Sequence, residues 1–121
     1  MSVIDETYHN GYVGSQNNTQ RTAIAQLGPL EYMLVTCLGN QTRGNKGMTI
    51  MEFAQVCEMA GKTLTAEGCK LAFNLDGGNS STLIFRQRNK KGGYLEYVKV
   101  NCPEIGRNVS DIIYFATLVK E

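Results

Sequence analysis

One segment alone in this chain repeats apolar residues at helical spacing, and this feature constrains the fold more than any other. Thr49 and Glu52 open it as a T-x-x-E capping box, in which each side chain binds a backbone N–H at the other position. Gly61 suits the end of the helix. The buried face is predicted to be Ile50, Phe53, Ala54, Val56, Cys57 and Ala60. We therefore expect one main helix in an otherwise strand-rich chain.

The other apolar residues come in short runs between turn residues, as strands do. Gly28-Pro29 joins the first two runs as a hairpin, and 89–93 is a second hairpin turn. Run 31–38 is apolar on both faces, which predicts a central strand, and run 112–119 reads as a well-buried last strand. The strand predictions are 22–27, 31–38, 70–75, 81–87, 94–100 and 112–119. The fold class is therefore α+β, with a mostly antiparallel or mixed sheet of about six strands and one main helix.

Length and charge exclude several classes of protein. The chain has 121 residues, which suits one domain; we expect a polar arm or loop over 1–20 and a single domain over 21–121. Its net charge of +1 gives no basic excess for nucleic acid. No apolar run is long enough for a membrane span. The first residues lack the apolar core of a signal peptide, so we expect a cytoplasmic protein or a part of an assembled particle.

The cysteines and the single histidine give little sign of a metal or cofactor. No C-x-x-C is present, and His9 is the one histidine, so we expect no metal site and no cofactor. The cysteines either form disulfides or serve as small buried apolar residues, and the missing secretion signal favours burial. They are Cys37, Cys57, Cys69 and Cys102.

The segment 72–82 carries the most chemical information. A strand runs into Asp76, two glycines and a cluster of hydroxyls, and then another strand begins. Glycines let a backbone turn sharply and approach a ligand closely, and a strand end can aim a carboxylate. The alternative is a Gly-rich turn whose Asp bonds only to its own backbone.

This segment resembles the signature N-L-D-G-G-G-S-S-T of the phosphodiester glycosidase family. Further likenesses follow in the family's order, and together they span about residues 21–119. Residues 21–26 resemble its R-T-A-I-G strand, 32–39 its L-L-L-V-V-D-G strand, 47–54 its G-M-T-L-x-E-L-A helix start and 107–111 its R-x-V-x-N segment.

The resemblance implies hydrolysis of a sugar–phosphate diester at the glycosidic bond, with a glycan or sugar phosphodiester as the partner. Such hydrolysis ordinarily uses two carboxylates, and cationic or N–H groups for the phosphate. Asp76 is the candidate catalytic carboxylate. The candidate substrate-binding residues are Arg21, Asn74, Gly77, Gly78, Ser80, Ser81 and Arg107.

The chain also departs from the family pattern. Asn79 replaces the third glycine, Leu38 the Asp of V-D-G-R, and Asn40 its Arg. The N-terminal half is short, so the chain resembles the C-terminal half of the family domain or a minimal version of it. Glu52 could supply the second carboxylate, but its capping role explains it fully.

Three functions therefore stay open from the sequence. The first is an active phosphodiester glycosidase that uses Asp76. The second is a catalytically degraded relative that binds a glycan or serves as a structural module in a larger assembly, such as a virion or cell-surface complex. The third is completion of the site by a homo-oligomer, since exposed sheet edges pair readily with another chain.

Overall fold

The computed structural model describes residues 17–39, 46–101, 108–110 and 112–116. They form one α-helix and five β-strands in two antiparallel sheets. The elements are β1 Arg21–Gly28, β2 Glu31–Cys37, α1 Ile50–Leu64, β3 Leu71–Asn74, a short 3-10 turn Gly78–Ser80, β4 Leu83–Arg88 and β5 Leu95–Asn101. The α+β prediction is confirmed, but the strands do not form a single sheet of six.

The first sheet has the strand order β2-β1-β3. β1 pairs with both neighbours, with Arg21 opposite Cys37 and Ala23 opposite Asn74. The prediction that β2 is central is wrong, because β2 lies at an edge of the sheet that the described residues form. Its outward side chains Tyr32 and Leu34 are apolar but about half exposed. An apolar outer face, rather than a central position, therefore explains the composition of β2.

The helix covers the inner face of the first sheet and lies against β1 and β2. β1 alternates strictly between buried and partly exposed residues. Its buried positions include the small residues Ala23 and Ala25, which let the helix approach closely. The core consists of Ala23, Ala25, Leu27, Met33, Cys37, Phe53, Cys57 and Cys69.

The helix begins where the sequence predicts and ends later. Both bonds of the capping box form: the Glu52 backbone N–H donates to Thr49 Oγ1 at 3.2 Å, and the Thr49 N–H donates to Glu52 Oε2 at 2.8 Å. The predicted end at Gly61 is wrong, since the helix continues to Leu64 with Thr65 as its C-cap. Gly61 is instead a contact position: a Cβ there would lie 2.5 Å from the Cys69 backbone nitrogen.

The second sheet is the β4–β5 hairpin, which was predicted together with its turn. Asn89 organises that turn, because its side-chain oxygen accepts from the N–H groups of Lys91 and Gly92. Large apolar side chains on both strands are exposed, among them Phe85 at 58 % and Tyr97 at 72 %. The hairpin therefore presents an apolar surface that the described residues leave largely uncovered.

The predicted last strand is wrong over its described part. Residues 112–116 have no strand structure, and all are exposed. The Phe115 ring instead stacks on Tyr32, with ring centroids 6.1 Å apart. This apolar segment is therefore held by a side-chain contact rather than by the backbone hydrogen bonds of a strand, which its composition predicted. Residues 117–119 lie outside the described residues.

Three cysteines, Cys37, Cys57 and Cys69, are buried free thiols, as the buried-apolar interpretation expected. Cys102, like His9, lies outside the described part of the chain. Within the described part, no helix has the length and apolar character needed to span a membrane.

Candidate functional site

The first sheet gathers the signature residues at one of its ends. β2 finishes there at Cys37, β1 starts there at Arg21, and β3 finishes there at Asn74. Because the three strands are antiparallel neighbours, Leu38 and Asp76 both leave the sheet at this end. We call it the signature end. The β1–β2 turn, with Glu31, lies at the opposite end.

The signature turn is anchored to β1 by backbone hydrogen bonds on both sides of Asp76. The Leu75 N–H donates to the Thr22 carbonyl at 2.8 Å, and the Gly78 N–H donates to the Gln20 carbonyl at 3.0 Å. Two further bonds close the 3-10 turn, from Ser80 N–H to Gly77 O at 3.2 Å and from Ser81 N–H to Gly78 O at 3.1 Å. Asp76 therefore sits on a fixed backbone.

The two glycines of the signature have different physical roles. A Cβ on Gly77 would lie 2.7 Å from the Gln20 carbonyl oxygen, so a side chain at this position would push the turn off β1. Gly78 has φ +60°, a left-handed conformation that glycine adopts without strain. Both glycines thus allow the turn to pack closely against β1. This packing explains the two glycines without a bound ligand.

Asp76 is exposed, and its neighbour Asn74 is exposed as well. The Asn74 Nδ2 donates to the Leu75 carbonyl at 3.1 Å. Asp76 is therefore accessible from solvent. Ser80 is partly buried.

Arg21 lies beneath this end, with a residue exposure of 5 %. Its Nε donates to the Met48 carbonyl at 3.1 Å and its Nη2 to the Asn17 carbonyl at 2.8 Å. These bonds tie β1 to the segments before it and before α1. The predicted substrate clamp at Arg21 stays a prediction, and Arg107 lies outside the described residues.

Three polar side chains near the turn are buried without hydrogen-bond partners among the described residues. Their unpartnered atoms are Nε2 and Oε1 of Gln20, Oγ1 of Thr22 and Oγ of Ser81. Gln20 is 2 % exposed and Ser81 is fully buried. Gln20 is the residue before β1, and Thr22 is the second residue of β1.

The carboxylate that the resemblance leads one to expect beside Asp76 is replaced by Leu38, which is 38 % exposed. Glu52 is engaged in the capping box at the start of α1. A groove of about 490 Å³ runs past Glu52, Met59, Asn18 and Lys46, and Asp76 is not part of its lining. No group of three or more His, Cys, Asp or Glu in the described residues could hold a metal ion.

Comparison with protein families gives a match over nearly the whole chain. The family model described as phosphodiester glycosidase matches residues 1–116. The chain belongs to the phosphodiester glycosidase family. Searches of the curated proteins and of the solved structures found no match.

Gln20, which lies beneath the signature turn, is a buried polar residue that the sequence interpretation missed. It falls at the end of the segment predicted as a polar arm, and glutamine is common in such arms. Its environment comes from two distant glycines: Cβ atoms on Gly39 and Gly77 would lie 2.4 Å from its backbone nitrogen and 2.7 Å from its carbonyl oxygen. No local pattern around Gln20 indicates this packing.

Proposed function

We propose that this protein hydrolyses a glycosyl phosphodiester at its glycosidic bond, with Asp76 as the catalytic carboxylate. The observation that carries the proposal is the position of Asp76 in a member of this family: exposed to solvent and fixed by backbone bonds from Leu75 and Gly78 to β1. A carboxylate held in this way loses little freedom when substrate binds.

In the proposed reaction, Asp76 accepts a proton from a water molecule as the water oxygen attacks the anomeric carbon. The bond between that carbon and the bridging oxygen breaks, and its electron pair leaves with the phosphate. The products are a free sugar and a phosphomonoester. Ser80 and the backbone N–H groups of the turn would orient the substrate.

The replacement of the second carboxylate by Leu38 is compatible with this reaction. A second carboxylic acid usually protonates the leaving oxygen of a glycoside. A phosphomonoester is stable as an anion, so it needs less help from an acid than a sugar alkoxide does. One carboxylate therefore suffices for a reduced but measurable rate.

A second candidate function is binding without catalysis, and the loss of a carboxylate at position 38 is the observation that favours it. In this case the signature turn would hold a glycan or serve as a structural module in a larger assembly. Both candidates use the same turn, but only the first requires the charge of Asp76.

The test is release of sugar from a panel of glycosyl phosphodiesters that differ in the sugar. We expect the wild type to release sugar from at least one of them and Asp76→Asn to release none, while the two proteins keep equal melting temperatures. Glu31→Gln, which changes an exposed carboxylate at the opposite end of the same sheet, is the matched control and should stay active. Wild-type protein that binds these diesters but cleaves none would support the second function instead.

A further inference from the structure

The unpartnered atoms of Gln20, Thr22 and Ser81 require an explanation beyond the fold. We call these three side chains the buried polar cluster. Folded proteins pair nearly all of their buried polar groups, and each one left unpaired destabilises the folded state. Four such atoms at one end of one sheet therefore indicate that a partner normally completes them.

The cluster is connected to the catalytic candidate through the backbone. The Gly78 N–H binds the Gln20 carbonyl, and the Ser81 N–H binds the Gly78 carbonyl. The Leu75 N–H binds the Thr22 carbonyl on the other side of Asp76. The residues of the cluster thus belong to, or directly support, the backbone of the turn that carries Asp76.

The chemistry of the cluster selects the kind of partner. Gln20 offers an N–H₂ donor and a carbonyl acceptor, and the two hydroxyls of Thr22 and Ser81 can each donate and accept. A hydroxyl group or a water molecule suits each of these groups, because it both donates and accepts. The phosphate group of a phosphodiester carries no O–H and only accepts, so it would leave Gln20 Oε1 without a donor.

The charge of the surrounding side chains also favours a neutral partner over an anion. The cluster contains no cationic side chain, and burial of an anion without one is costly. Arg21, the nearest cation in the sequence, leaves β1 on the opposite face and donates to the carbonyls of Met48 and Asn17. The cluster is therefore suited to a neutral polar group.

We propose that Gln20 is a sugar-binding residue, whose side-chain amide takes a hydroxyl of the substrate sugar within the buried polar cluster and holds a water molecule when no sugar is bound. The assignment rests on the proposed function for the identity of the ligand. Because Gln20 is 2 % exposed, the hydroxyl takes its place at the side-chain amide only by displacing that water.

The experiment follows the side-chain amide of Gln20 by NMR in the full chain, with its resonance assigned by triple-resonance spectra. Glucose, mannose, galactose, N-acetylglucosamine and inorganic phosphate are the probes. We expect at least one sugar to shift the Gln20 amide resonance and phosphate to leave it unchanged. A shift with phosphate alone would overturn the proposal, and so would no shift with any sugar, which would mean that the cluster holds water only.

Variants give a second measurement. Gln20→Leu should weaken binding of the responding sugar by about tenfold or more, because it leaves the ligand hydroxyl without a partner. Gln26→Leu, which changes the same residue type at a partly exposed position of β1, should change that affinity less than about twofold. A Gln20→Leu protein that melts higher than the wild type and binds the sugar equally well would contradict the proposal. If Gln20→Leu does not fold, the wild-type titration alone decides.

The readout is separate from the test of the proposed function, since it needs no turnover. Sugar binding at Gln20 without cleavage of any diester would leave this inference standing and remove the hydrolase. Cleavage that depends on Asp76, with no shift of the Gln20 amide resonance by any sugar, would support the hydrolase and overturn the assignment of Gln20.

Discussion

At the residue scale, Gly77 shows how closely the signature turn lies on β1. Gly77→Ala would put a Cβ 2.7 Å from the Gln20 carbonyl oxygen, and backbone atoms on both sides must shift to relieve the clash. We expect a loss of about 1–3 kcal/mol in the free energy of unfolding, measured by urea denaturation.

The matched control is Gly28→Ala. A Cβ there would first meet the Glu31 carboxylate at 3.1 Å, and this is the mobile end of an exposed side chain. The control should therefore cost well under about 1 kcal/mol. Equal losses for the two variants would show that the turn does not depend on its close approach to β1.

The buried thiol of Cys57 predicts how the stability of the protein depends on pH. Burial, and then the neighbouring Cys69 and Cys37, raise the pKa of its thiol from the ordinary 9.0 to about 11. Between these values the unfolded chain binds fewer protons than the folded chain, so the free energy of unfolding falls as the pH rises. We expect a loss of at most about 2–3 kcal/mol across that range, measured by urea denaturation.

A second readout for Cys57 is its reaction with a thiol reagent. Burial also raises the pKa values of Cys37 and Cys69, so these three thiols should react slowly at about pH 8 and quickly in urea. Stability that stays flat between pH 9 and about 11, or fast labelling of Cys37, Cys57 or Cys69 in the folded protein, located by peptide mass mapping, would contradict the buried thiol core.

At the element scale, the capping box at the start of α1 allows a test of whether Glu52 has a structural or a catalytic role. Glu52→Gln keeps the capping box, because Gln can accept the Thr49 N–H as Glu does. We expect sugar release and melting temperature to remain near those of the wild type. Thr49→Ala, which removes the cap, should cost about 1 kcal/mol of unfolding free energy. Loss of sugar release in Glu52→Gln with an unchanged melting temperature would identify Glu52 as the second carboxylate.

The end of β2 allows a gain-of-function test. Leu38 leaves the sheet at the signature end and is 38 % exposed, so an Asp there would be solvated and at the same end of the sheet as Asp76. General acid–base catalysis typically contributes about 100-fold or more. Leu38→Asp should therefore release sugar about tenfold or more faster than the wild type, while the uncharged control Leu38→Asn should not.

The elements also show what local sequence could predict. The capping box, both hairpins and β1 were predictable, because each depends on residues that are close in the sequence. The end of α1 and the edge position of β2 were not. Gly61 faces Cys69, and β2 carries an apolar outer face with Tyr32 and Leu34. Both outcomes depend on contacts between distant residues, which local spacing does not contain.

At the scale of the whole molecule, one part of the candidate site was predictable from local sequence and another part was not. The sequence identified Asp76 and the glycines because the turn chemistry and the family resemblance are local. It missed Gln20, whose burial is produced by Gly39 and Gly77 from other parts of the chain. The exposed apolar side chains of β4, β5 and 112–116 are a further whole-chain property that strand-like composition did not predict.

The central claim is that water attacks the sugar carbon rather than the phosphorus. The most direct measurement is hydrolysis of a glycosyl phosphodiester in ¹⁸O-labelled water, with mass spectrometry of the phosphomonoester formed. Cleavage of the glycosidic bond leaves that phosphomonoester free of ¹⁸O, and Asp76→Asn should form none of it. Incorporation of ¹⁸O into the phosphate, or equal product from Asp76→Asn, would contradict the account.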